Sequence, residues 1–172
     1  SSNQVMETAR KAIHWILIPL LAVVITLWPT LSSGLTQLQT DPGDTLLNHY
    51  FLEHAYQHVR DGQLLNPDHF WSPDYFWPIK DTLAWSDHLI GPAVLYGIFR
   101  TVILDPYKAY ICWLMLTLGL NYIALRRALL IISPNTTPSW LSLIALITAF
   151  SPAITMQLGH PQLLSLFLIG PI

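Results

Sequence analysis

The apolar positions of this 172-residue chain fall into long blocks interrupted by one broad polar stretch. The first block covers residues 12–31, close to the roughly 20 apolar residues a helix needs to cross a bilayer core. It follows Arg10 and Lys11, and cations at that end favour the cytoplasm, so the pattern predicts an anchor with its N-terminus inside. The run is long for a secretory signal and no small-x-small cleavage pattern follows it, so the anchor is expected to stay uncleaved. Pro19 falls within this span, which predicts a kink whose freed carbonyl a neighbouring helix satisfies.

The next apolar run, 89–104, is marginal in length and contains Arg100. If it crossed, the helix expected over 107–125 would leave Arg126 and Arg127 outside, against the preference of cations for the cytoplasmic side. It is therefore expected to lodge at the outer surface or insert only partly, with 107–125 running inward and ending at Arg126-Arg127. The polar turn over 133–138 then lies inside. Residues 140–153 return outward, and 157–162 turn at the outer side before a final apolar run. Because the chain begins with Ser1 and stops inside that run, a fragment of a longer protein is expected.

These elements together predict an all-α, polytopic transmembrane protein. Residues 1–31 form the cytoplasmic N-terminus and first transmembrane helix, 32–106 an extracytoplasmic loop, and 107–172 further transmembrane helices. The loop is expected to carry juxtamembrane amphipathic helices at about 45–60 and 89–104.

Composition agrees with a lipid environment. Mean hydropathy is +0.44 and 10% of residues are charged, against roughly a quarter in soluble domains. The net charge of −2 and the sparse Arg and Lys exclude a nucleic-acid-binding surface. Cys112 is the one cysteine, so no internal disulfide forms. Charge also locates the loop. Asp41, Asp44, Glu53, Asp61, Asp68, Asp74, Asp81 and Asp87 face only Arg60 and Lys80 between residues 32 and 88. Such a segment cannot lie in lipid, and its poverty in cations places it outside the cytoplasm. Its aromatics, Phe70, Trp71, Tyr75, Phe76, Trp77 and Trp85, suit either a headgroup layer or a small core of the loop's own. Residues 44–60 lack Pro and Gly and put Leu47, Tyr50, Phe51, His54, Ala55 and His58 at helical spacing, the pattern of an interfacial amphipathic helix.

Candidate chemistry gathers in that loop. Asp44 stands at or near the start of the 45–60 helix, where it reads either as a general base for a substrate hydroxyl or as an N-cap. Asn48 shares its face one turn on, whereas Glu53 points elsewhere. His54 and His58 have the i, i+4 spacing of a metal pair, but no third ligand is indicated, so no metal site is assigned. Asp41 and Asp44 could hold a hard divalent cation, yet no phosphate ligand is in view and no cofactor is assigned. His160, between Gly159 and Pro161 in an outer turn, could hydrogen-bond or protonate a substrate. No nucleophile elbow, phosphate-binding glycine loop, zinc-protease pair or dinucleotide fingerprint is present.

The ordered strings carry more than any single residue. They are Asp-Pro-Gly-Asp-Thr-Leu-Leu-Asn at 41–48, Leu-Glu-His at 52–54, Trp-Ser-Pro at 71–73, Tyr-Phe-Trp-Pro at 75–78, Leu-Ala-Trp-Ser-Asp-His-Leu-Ile-Gly at 83–91 and Gln-Leu-Gly-His-Pro-Gln-Leu-Leu at 157–164. Over nearly its whole length the chain resembles the N-terminal portion of bacterial inner-membrane proteins of the GT-C glycosyltransferase superfamily, of the broad kind that includes the YfhO-like proteins. That resemblance implies a polyprenyl-phosphate sugar as donor and an essential acid in the first outer loop. The acid falls on Asp44, with Asp41 close behind, and the Gly-His motif falls on His160. Asn48, Glu53 and His54 would line the substrate, and Lys80 and Arg60 are the loop cations for a departing phosphate. Such enzymes have many more spans than this chain. The competing expectation is a non-catalytic scaffold subunit that meets other membrane subunits through the same loop and helices.

Overall fold

The computed structural model describes residues 2–63, 66, 70–86, 88–165 and 167, and among them it contains helices and turns but no strand. Pro67, Asp68, Asp87 and the apolar tail beyond Phe167 lie outside the described residues. Among the described residues three helices are long and apolar enough to cross a membrane: Ser2–Thr26, Pro106–Ile132 and Pro138–Thr155. The chain is thus an all-α, polytopic membrane protein, and its helices sort into two compact units.

The first unit comprises 1–40, 114–158 and 163–172. Its leading helix, α1 (Ser2–Thr26), begins earlier than the apolar pattern predicts. Arg10 and Lys11 therefore sit within it rather than ahead of it, and Lys11 Nζ reaches Glu7 one turn back at 2.7 Å. Halfway along, Ile13–Leu17 widens into a π-helix in which the Ile18 N–H returns to the Ile13 carbonyl. In that register His14 O is next due a donor from residue 19, and Pro19 has none. The Tyr122 hydroxyl, from a neighbouring helix, donates to His14 O instead at 2.9 Å. The expectation that a neighbour satisfies the carbonyl freed by Pro19 holds, through a widened turn. A short helix, α2 (Trp28–Ser32), follows.

The remaining spans of this unit are the later part of the Pro106–Ile132 helix and the Pro138–Ala149 helix, which a break at Phe150 and Ser151 separates from Pro152–Thr155. Tyr122, Ala145 and Ala149 form a buried cluster covered by Ile18, Ile123, Leu125, Leu129, Leu146 and Phe150. Small alanines on one helix meet a tyrosine on the other, as small residues do at helix contacts in membrane bundles. The Pro106–Ile132 helix continues past Arg126-Arg127, which corrects the expectation that it ends there. Arg126 is drawn inward, 3% exposed, because the facing helix offers Ser142 Oγ as an acceptor.

The second unit comprises 41–113 and 159–162. Its frame is α3 (Pro42–Arg60) packed on α4 (Ile90–Val102). A helix is present where one was expected at 45–60, and it starts at Pro42. Its buried face is Thr45, Asn48, Phe51, Leu52 and Ala55, which shares only Phe51 and Ala55 with the apolar set read from the sequence. The helix is rotated because Asn48 finds two acceptors inside and is therefore tolerated there. The 89–104 run forms a 13-residue helix, about 20 Å long and too short to span. The loop aromatics divide between the two roles open to them. Phe70 is core at 1% exposed, whereas Trp77 and Trp85 point outward at 81% and 87%.

The rest of the chain completes these units. We number the later helices α5 (Pro106–Ile132), α6 (Pro138–Ala149), α7 (Pro152–Thr155) and α8 (Pro161–Leu164).

Candidate functional site

The start of α3 is set by its own first residues. Asp41 is the N-cap, and its Oδ1 accepts the Asp44 N–H at 3.2 Å. Pro42 follows at N1, where the missing donor is harmless. Gly43 comes next, and a Cβ there would sit 3.3 Å from Asp41 Oδ1, crowding the cap. Asp41 therefore takes the capping role that the sequence left open for Asp44. Asp41→Ala is expected to cost about 1 kcal/mol of stability without touching the Asp44 carboxylate, read as a lowered unfolding midpoint.

Relieved of capping, Asp44 directs its carboxylate at the turn before α8. Its Oδ2 lies 3.2 Å from His160 Nε2, with the two side chains 47% and 37% exposed. Asn48, one turn further and buried, fixes this arrangement. Its Nδ2 donates to Asp44 O at 3.0 Å and to Gly159 O at 2.8 Å. The chain thus brings Asp44, Asn48, Gly159 and His160 together across more than a hundred residues, held by a buried amide that stays put when the exposed dyad is solvated. His160 Nε2 donates to the Asp44 carboxylate and orients it, and the carboxylate's remaining exposure lets a hydroxyl approach.

The other residues read from the sequence go elsewhere. Glu53 accepts hydrogen bonds from the Tyr96 hydroxyl and from Arg100 Nε, the latter at 3.0 Å, with both charged side chains about 15% exposed or less. Burial pushes the Glu53 carboxyl up, but the hydrogen bonds from Tyr96, Arg100 and Gln57 outweigh it and hold the group below the usual carboxylate range. Burial and the neighbouring Glu53 raise the Tyr96 phenol well above its ordinary value. Arg60 pairs with Asp61 at the C-terminal end of α3 at 2.7 Å, and Lys80 is exposed. Neither loop cation is brought to the Asp44 carboxylate.

No family model matches the sequence, and no curated protein and no solved structure matches it either. Function therefore rests on what the side chains do.

A cavity of about 560 Å³ opens beside α3, lined by Tyr50, Glu53, His54, His58, Ser72 and Asp74 among others. Asp44 is not among its lining residues. His54 Nε2 donates to Phe70 O at 2.9 Å and His58 Nδ1 donates to His54 O at 2.9 Å, so each ring is tied to a carbonyl. Burial lowers the His54 pKa, which keeps the ring neutral near neutral pH. No group of three His, Cys, Asp or Glu side chains placed to hold a metal ion occurs among the described residues.

Sequence reasoning missed a second polar cluster. In the first unit Arg126 Nε donates to Ser142 Oγ at 2.8 Å, Ser142 Oγ lies 2.9 Å from His14 Nδ1, and the Arg126 guanidinium stacks over Trp15 at 4.1 Å. The available signal was His14 and Ser142 standing as polar residues inside apolar runs, where ionisable and hydroxyl groups gather at helix interfaces.

Proposed function

We propose that this chain is the N-terminal portion of a GT-C-like glycosyltransferase of the bacterial inner membrane, which transfers a sugar from a polyprenyl-phosphate donor to an acceptor hydroxyl on the extracytoplasmic side. The observation that carries this reading is the Asp44–His160 pair. A carboxylate released from helix capping is oriented by an imidazole and half open to solvent. Asp44 takes the proton of the acceptor hydroxyl, and the acceptor oxygen attacks the anomeric carbon from the face opposite the phosphate. The bond from that carbon to the phosphate oxygen breaks, and polyprenyl phosphate leaves with the electron pair. Lys80 is the loop cation proposed to meet it, since Arg60 is held by Asp61. Release of polyprenyl phosphate from radiolabelled donors, measured in membranes with and without the protein, tests the reading. Chain-dependent release supports it, and its absence across sugar donors removes it.

The accessory-subunit reading is favoured by one observation, that a cavity of about 560 Å³ in the second unit is lined by Glu53 and His54 and not by Asp44. Under that reading the cavity receives a segment of another membrane subunit.

The proposed sidedness has its own measurement. With Cys112 replaced by Ser, a cysteine at Asp61 is expected to react with a membrane-impermeant maleimide in intact cells, and a cysteine at Asn135 to react only after permeabilisation. Equal labelling of the two refutes the sidedness.

A further inference from the structure

Among the described residues Arg126 is a cation without a counter-charge. A guanidinium has five N–H donors, and of these Nε–H meets Ser142 while Nη1 is shut away from solvent with no acceptor. None of the ion pairs formed among the described residues includes Arg126. Among helices long enough to span a membrane, such a charge is strongly unfavourable unless an anion accompanies it.

The same helices supply a place for one. A groove of about 380 Å³ runs between α1 and α5, with Trp15, Pro19 and Val23 on one wall and Met115, Gly119 and Ile123 on the other. Along α5 it extends from residue 115 to 123, about 12 Å. Arg126 follows less than one turn beyond. Along α1 the groove runs from Val23 back to Trp15, and His14 follows at once. The Trp15 ring belongs to both features, as it lines the groove and carries the guanidinium. Arg10 and Arg127 add positive charge at that end, where Lys11 is paired with Glu7. An apolar channel that ends at an unmatched guanidinium is complementary to one class of molecule, an apolar chain that carries a phosphate.

From this geometry we infer that the α1–α5 groove binds a membrane lipid, its chain between Pro19 and Gly119 and its phosphate at Arg126 beside His14. The site is independent of the Asp44–His160 pair and of the transfer reaction proposed for it. By a shift of the Arg126 side chain the phosphate takes the Nη1 group that no oxygen of the described residues meets, and the chain covers the apolar walls. Anionic lipids are preferred over zwitterionic ones because Arg10, Arg126 and Arg127 leave this end net positive even with Lys11 paired to Glu7.

The experiment is a native mass-spectrometric titration of the detergent-solubilised full chain with phosphatidylglycerol and, separately, phosphatidylcholine. A parallel thermal-shift titration uses inorganic phosphate. Phosphatidylglycerol is expected to bind about tenfold more tightly than phosphatidylcholine, and Arg126→Gln to remove that preference. A Cβ at Gly119 meets nothing within 4 Å, so Gly119→Phe projects a ring into the groove and leaves the cation in place. It is expected to weaken phosphatidylglycerol binding by about tenfold, and it carries the test if Arg126→Gln fails to fold. Equal retention of the two lipids by the unmodified chain overturns the inference. So does unchanged phosphatidylglycerol binding in Gly119→Phe, or stabilisation by inorganic phosphate as strong as by the lipid, which would mark a free-anion site instead.

Discussion

Asp44→Asn is expected to lower turnover of the polyprenyl-phosphate sugar by about 10²–10⁴-fold while the protein stays folded in the membrane. The substitution isolates the base because Asp41, not Asp44, caps α3, so the helix start is untouched. Asparagine keeps the size of the side chain and an oxygen that still accepts from His160 Nε2, the contact seen at 3.2 Å. Asn48 continues to tie α3 to the Gly159 carbonyl. The change that remains is loss of a group able to accept a proton. Donor turnover and the thermal unfolding midpoint should be measured on the same preparation. A large fall in turnover with an unchanged midpoint supports Asp44 as the base. Unchanged turnover, or loss of the protein from the membrane, would count against it and in favour of an accessory or structural role.

Glu53→Ala should destabilise the unit built on α3 and α4 by about 2–3 kcal/mol, the largest stability effect expected in that unit. The substitution leaves Arg100 largely buried with no carboxylate, its other contacts being Ile103 O at 3.2 Å and the Tyr56 ring at 5.3 Å. It also strips the Tyr96 hydroxyl of its main acceptor, leaving a longer contact to Pro106 O at 3.4 Å. The pH dependence follows from the direction of the Glu53 shift. The carboxyl is held below its ordinary value of 4.5 in the folded chain, so its contribution is complete above about that pH. It is lost as pH falls through the lower, folded value, where protonation breaks the ion pair. Glu53→Gln should flatten this acid limb of the stability curve. Chemical unfolding followed by tryptophan fluorescence at several pH values reads both effects, and an unaltered acid limb in Glu53→Gln would refute the assignment.

Much of the architecture was legible in the residues. Apolar runs near the length of a bilayer crossing marked α1 and α5, because a span must bury its backbone in its own hydrogen bonds and present apolar side chains to lipid. The run 44–60 without Pro or Gly marked α3, and the marginal length of 89–104 together with the cations at Arg126-Arg127 marked a segment not expected to cross. Pro19 announced a freed carbonyl. All of these are local properties, set by spacing, propensity and charge within a few turns of one segment.

What depended on distant partners could not be read this way. Asp44 and Asp41 offer the same carboxylate three residues apart, and only the folded turn assigns capping to one and His160 to the other. Glu53 stands in the same polar run as Asp44, yet its partners Tyr96 and Arg100 lie on α4. The buried face of α3 turned toward Asn48 because an acceptor at Gly159 waited for it. Arg126 read as an anchor at a helix end until Ser142 and Trp15 drew it between helices. The sequence by itself determined which segments are helices and which of them can face lipid, since backbone hydrogen bonding and hydrophobic period act locally. The tertiary structure alone decided which charges are paired, because an ion pair or a buried amide gains its energy from a partner whose position no local pattern encodes.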